Sequence, residues 1–333
     1  MNRVLAASLQ RPASGYPDAA ALHQALQALV ADGLDRLALP GSGRTLERWR
    51  CLAVVAGQDL GLCKFYEGHT DALAIMTELA APRVAVGSTW GMWAAEPPNA
   101  RVTVKRHRDG YQLNGRKAWC SGAGHLSHAL LTAWDEHGQQ QLVAVALRQP
   151  GVTVVNEGWQ AVGMGATASV QVQFDQAEGT PVGGPGEYLE RPGFWQGAIG
   201  IAACWYGAAQ QLALRLQAHP RDEPHARAHL GTVDSALFAL RTVLRQAAAS
   251  VDAAPDESCE YLARRVRAVA EEACEQTLIH VGHALGAAPF CRDAHFARLA
   301  ADLPVYLRQS HAERDLAELG ALASQTGPSE FNL

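Results

Sequence analysis

The chain has 333 residues, 48% of them hydrophobic and 18% charged, with a formal net charge of −5. That is long enough for more than one packed unit and globular in composition, and the net negative charge leaves no electrostatic footprint for nucleic acid. Seven cysteines, at 51, 63, 120, 204, 259, 274 and 291, form no CxxC pair and read as buried free thiols of a reducing compartment.

The opening segment MNRVLAASLQRPASG has only a brief apolar stretch, too weak for a signal peptide. The longest small and apolar run, Gly197 to Ala209, falls short of the ~20 residues of a membrane span. A cytoplasmic protein is expected. From Asp18 to about Pro82 apolar residues recur at helical spacing: Leu22, Leu26 and Leu29, then Leu46, Trp49, Leu52 and Val55, then Leu73, Met76 and Leu79. Gly33, Pro40-Gly41 and Gly61 punctuate them, with one opening helix expected before Gly33. This predicts an N-terminal helical domain over 1–83.

From Val84 to Thr180 the period changes to two. Val102 and Val104 lead to the Asp109-Gly110 turn, with Lys105-Arg106-His107-Arg108 as a solvated hairpin end. Tyr111 and Leu113 lead away from it, and Asn114-Gly115 predicts a second tight turn. Leu142 to Leu147 reads as a doubly buried strand, and Val170, Val172 and Phe174 as one face of a half-exposed strand. A compact antiparallel β-domain over 84–182 follows. After the Gly183-Gly184-Pro185-Gly186 linker, helical stretches at about 194–218, 224–251, 257–286 and 292–322 predict a C-terminal four-helix bundle over 183–333. Pro304 should kink or split the last helix.

Gly163-Met164-Gly165-Ala166-Thr167-Ala168 imitates a dinucleotide fingerprint, but no βαβ unit surrounds it. There is no Gly-x-Ser-x-Gly elbow for an acyl hydrolase and no Glu-x-x-His for a carboxylate-bridged metal pair. His225 with His229, and His280 with His283, sit one helical turn apart without a third ligand nearby in sequence, so no metal is expected.

The run GYQLNGRKAWCSGA from Gly110 to Ala123 resembles the acyl-CoA dehydrogenase family pattern G-Y-x-L-N-G-x-K-x-W-x-[ST]-x-[AG]. Trp159 to Phe174 (WQAVGMGATASVQVQF) resembles a second strand of that family, and Arg292-Asp293-Ala294 the passage opening its last long helix. The resemblance runs from about residue 20 to 322. It implies an α+β acyl-CoA dehydrogenase-like fold: N-terminal helices, a central antiparallel β-domain and a C-terminal four-helix bundle. It also implies FAD between β-domain and bundle, with Trp119 against the flavin ring, Ser121 near its N5, and Trp93, Ala95 and Cys120 beside them. A homodimer or homotetramer and an acyl thioester substrate of fatty acid metabolism are implied with it.

The chain departs from the family in three places. Ala95 stands for a Thr in the loop after Trp93, and Pro98-Asn99-Ala100 replaces a Gly-Ser turn. Arg221, the candidate for the cofactor's pyrophosphate, is out of the family's register. The Glu that takes the α-proton in most members falls on Ala301, leaving the adjacent Asp302 as the candidate base, although one residue along a helix turns about 100° away. Three readings stand: a dehydrogenase with a non-standard base, a flavin-dependent monooxygenase or oxidase that needs no such base, and a scaffold that has lost flavin.

Overall fold

The computed structural model describes residues 2–9, 11–81, 84–218, 223–327 and 332. Two helices, not one, precede Gly33: α1 (Asn2–Ser8) and α2 (Ala19–Ala31). Asp18 starts α2 by accepting from the Ala21 amide, and Leu22, Leu26 and Leu29 form its buried stripe. Helices α3 (Thr45–Gln58) and α4 (Leu60–Glu78) are separated by Asp59 alone. Its extended backbone ends α3, while its carboxylate accepts from Leu62 N at 2.9 Å and caps α4. Gly61, expected to punctuate, lies inside the first turn of α4.

Seven strands follow: β1 (Trp90–Trp93), β2 (Val102–His107), β3 (Gly110–Cys120), β4 (His128–Trp134), β5 (Gln140–Ala146), β6 (Val152–Val155) and β7 (Val170–Pro181). β4 pairs with both β2 and β5, and β2–β3–β7–β5 completes the circuit, so the sheet closes on itself. The barrel is mixed rather than purely antiparallel, because β1 and β2 each pair with β4 in parallel. The hairpin joining β2 to β3 is present, but its turn is Arg108-Asp109 rather than the expected Asp109-Gly110, because Gly110 already pairs with His107 as the first residue of β3. Asn114-Gly115, by contrast, makes no turn and lies mid-strand in β3, paired with β2 and at a register shift against β7. Gly115 is there because its φ is +111° and a Cβ would come within 2.2 Å of the Arg101 carbonyl oxygen. The Asn-Gly turn signal loses to this close approach of two strands.

The C-terminal half is helical: α5 (Glu187–Glu190), α6 (Pro192–Gln217), α7 (Pro224–Ala253), α8 (Glu260–Leu285), α9 (Ala287–Arg292), α10 (Ala294–Leu307) and α11 (Glu313–Gln325). Helix α10 continues through Pro304, and the expected break comes later, at residues 308–312, where Ala312 has φ +46°. Helix α6 packs on α3, α7, α8 and α10, joining the N-terminal helices to the bundle. Helix α4 lies against β1 and the turn at Gly165–Thr167. That junction carries the candidate site.

Candidate functional site

At the end of β3 the register slips, so that Ala118 and Trp119 together oppose the single residue Gln171 of β7. The bulge puts Trp119 at φ +57° and turns its indole outward, 54% exposed. The indole stands open to solvent on a non-glycine residue in the left-handed conformation. Arg116 donates to Gln171 Oε1 at 3.2 Å on the neighbouring strand positions. Cys120, expected beside the cofactor, is instead fully enclosed in the core, and burial pushes its thiol well above the usual range. The strand carries its side chain to the inner face.

Ser121 follows in a tight turn, its amide donating to the Trp119 carbonyl at 3.1 Å. Trp93 is buried and braces this turn by donating Nε1–H to the Ser121 carbonyl at 3.3 Å. Ser121 Oγ lies 2.7 Å from Ser169 Oγ, which lies 2.8 Å from Thr167 Oγ1. The Thr167 hydroxyl donates to the Met164 carbonyl at 2.7 Å. Three hydroxyls from two segments therefore form one chain, all of them buried. Sequence reading found Ser121 but not Ser169 or Thr167. The cue was the Thr-x-Ser spacing at the head of β7.

Ser121 also lines a small cleft of about 10 Å³ with Lys64, Phe65 and Gly68 of α4, Trp90 to Trp93 of β1, and Leu126. Lys64, unremarked in the sequence, holds Glu67 Oε2 at 3.1 Å and lies 5.7 Å from the centre of the Tyr306 ring. Burial works against its charge, yet the Glu67 carboxylate, with smaller contributions from Cys204 and Cys63, holds the ammonium above its ordinary value. None of the cleft's lining residues is a carboxylate.

Asp302 stands behind the hydroxyl chain. It is 3% exposed, and its Oδ1 accepts from the Met164 amide at 2.5 Å. The carboxylate is thus spent on tying the 163–168 loop, whose Met164 and Ala168 hold positive φ, to α10. Burial is the main cause that pushes Asp302 up to about 6, with Asp59 adding to it and Met164 N–H opposing. The raised value means that the folded state binds this proton more tightly than the unfolded chain. Asp302 contributes most below about pH 4, and that contribution is lost as pH rises through 6. Asp302→Asn keeps an acceptor for Met164 N–H without the charge. Its stability relative to the parent should therefore rise by about 2–3 kcal/mol between pH 4 and 7, read from urea unfolding at each pH. A constant difference would show that the carboxylate does not titrate there.

Ala95 lies half-buried in the loop after β1. There Glu96, not Ala95, is the fixed point: it accepts from Thr132 Oγ1 and Trp134 Nε1, both at 2.6 Å, and meets Lys117 Nζ at 3.4 Å. Arg221 lies outside the described residues. The two histidine pairs are brought together at one end of α7 and α8, with His229 Nδ1 2.8 Å from His280 Nδ1. Among the described residues, however, no group of three or more metal-capable side chains is arranged to hold an ion.

The family model of the acyl-CoA dehydrogenase middle domain matches residues 94–177, from β2 through most of β7 and including the Trp119 bulge and Ser121. The methanesulfinate monooxygenase MsuC from Pseudomonas fluorescens superposes with a TM-score of 0.79 at 21% identity, over 98% of this chain and 97% of that one. This chain is a divergent member of the acyl-CoA dehydrogenase family. The amino sugar nitrososynthase DnmZ of Streptomyces peucetius is 30% identical over 273 residues, 72% of this chain and 66% of that protein. The probable FMNH2-dependent monooxygenase SfnC of Pseudomonas putida is 25% identical over 189 residues, 50% of this chain and 47% of its own. The matches thus span about half to just under two thirds of these two relatives' length. Among the described residues no helix of this divergent member is long and apolar enough to cross a membrane.

Proposed function

We propose that this chain is a flavin-dependent monooxygenase that takes reduced flavin mononucleotide on the Trp119–Ser121 face and oxygenates a small polar molecule. The residues present fit the ring: an outward indole offers a stacking surface, and a hydroxyl two residues on offers a polar contact. When bound, reduced flavin supplies the two electrons with which O2 gives one oxygen atom to the substrate and the other to water.

The observation that carries this reading is the chemistry of the cleft beside Ser121. Its lining, around room for about one water molecule, offers a hydroxyl, an ammonium, two indole N–H groups and apolar walls, and no carboxylate. α,β-Dehydrogenation of an acyl thioester needs a base at the substrate carbon, whereas oxygenation does not. Asp302, the candidate base, has its carboxylate bonded to the Met164 amide, and we propose that it anchors the loop. The names of DnmZ and SfnC support the same side. The name of SfnC favours FMN over the FAD first expected, and that of DnmZ a substrate with an oxidisable nitrogen over an acyl thioester. In this reading Trp119 and Ser121 orient the ring. Phe65, Trp90 and Met92 keep bulk water from the cleft.

The test uses the purified protein with photoreduced FMN, O2 labelled with oxygen-18, and amino-sugar and sulfinate substrates. Label in the product is the expected result. Anaerobic bleaching of flavin-loaded protein by an acyl-CoA, with no reductase present, would overturn the proposal in favour of dehydrogenation.

A further inference from the structure

The three hydroxyls behind the ring face have a direction. A carbonyl oxygen only accepts, so the hydroxyl proton of Thr167 is committed to Met164 O at 2.7 Å. Thr167 Oγ1 must then accept at its 2.8 Å contact, which commits the proton of Ser169. Ser169 Oγ must in turn accept at 2.7 Å, which commits the proton of Ser121. Ser121 is left with lone pairs and no proton for whatever enters the cleft it lines. We infer that Thr167 and Ser169 are positioning residues that make Ser121 an acceptor, and that this polarity selects the reduced form of the flavin over the oxidised form. The inference rests on the flavin reading of the preceding subsection.

The chemistry of the ligand supplies the selection. N5 of a reduced flavin carries a proton and donates, while N5 of an oxidised flavin carries a lone pair and accepts. Opposite Ser121 the reduced form makes a hydrogen bond. The oxidised form meets lone pair against lone pair, unless the whole hydroxyl chain reverses and gives up the Thr167 bond to Met164 O. Reversal is opposed because the far end of the chain is fixed. Met164 is held in a left-handed conformation by the Asp302 carboxylate on its amide, and its carbonyl also receives the Thr167 amide at 3.0 Å. Apart from Ser121, Ser169 and Thr167, the polar side chains of the cleft lining are all donors already engaged: Trp90 Nε1–H on Ser88 Oγ, Trp93 Nε1–H on the Ser121 carbonyl, and Lys64. Lys64 is a donor engaged with Glu67.

The experiment measures dissociation constants of oxidised and anaerobically reduced FMN for the full chain, and their ratio in variants. The parent should bind reduced FMN more tightly. Ser169→Ala and Thr167→Val each free a proton for Ser121 and should shrink the preference about five- to tenfold, the worth of one neutral hydrogen bond. The conservative Ser169→Thr and Thr167→Ser keep the chain and should keep the ratio. A purely structural loss would weaken both forms alike, so a ratio unchanged in Ser169→Ala and Thr167→Val overturns the inference while leaving the flavin reading intact. A parent protein that binds neither form overturns the flavin reading, and the inference with it.

Discussion

Glu96→Gln should destabilise the protein by about 3 kcal/mol, although it alters one atom in a loop at the rim of the barrel. Lys117 is 1% exposed and its ammonium is held by Thr132 O at 2.8 Å, Thr132 Oγ1 at 2.7 Å and the Glu96 carboxylate. Burial already pulls the Lys117 pKa down, with Glu96 holding it up. Neutralising Glu96, itself open to solvent, leaves the buried Lys117 ammonium with two neutral acceptors, and leaving a buried charge without its partner costs more than removing both. The double variant Glu96→Gln with Lys117→Met should therefore be more stable than Glu96→Gln alone. Urea unfolding of the parent, the two single variants and the double variant measures this directly. A double variant less stable than Glu96→Gln would show that the charge is not what Glu96 compensates. The same network fixes the loop after β1, whose family Thr is replaced here by Ala95. The carboxylate next to it anchors this loop without that hydroxyl.

Gly163→Ala should cost about 3–5 kcal/mol and disturb the site from behind. A Cβ at Gly163 would come within 2.0 Å of the Ala301 carbonyl oxygen, a backbone atom of α10 that cannot swing aside. The loop must lift from the helix, which breaks the Met164–Asp302 bond and moves Thr167 away from Ser169. The expected result is a lower unfolding midpoint with unchanged m-value, together with weaker discrimination between reduced and oxidised FMN. Full retention of both stability and discrimination would mean that the loop's seat on α10 is unimportant to the site.

Legibility from sequence followed the range of the interactions. Helices α2, α3, α4, α6, α7 and α8 and the hairpin joining β2 to β3 rest on local patterns and were readable, whereas α1 and the division of the last helical stretch were not. Asn114-Gly115 failed because the local turn signal meets a strand neighbour at Arg101 that the sequence does not display. Trp119 was singled out by its motif, but its outward turn depends on a bulge against Gln171 of another strand. Ser121's partner is 48 residues away, and Asp302's is 138, so neither the hydroxyl chain nor the loop anchor could be seen. Lys64 looked like an ordinary helix lysine until α4 was placed against β1 and Ser121.

The central claim is that a flavin ring lies on Trp119 with its N5 at Ser121. A crystal structure of the protein with FMN under reducing conditions tests this most directly. The expected result is the ring stacked on the Trp119 indole with N5 at about 3 Å from Ser121 Oγ. FMN bound elsewhere, with the Trp119 face bare or covered by protein, would contradict it.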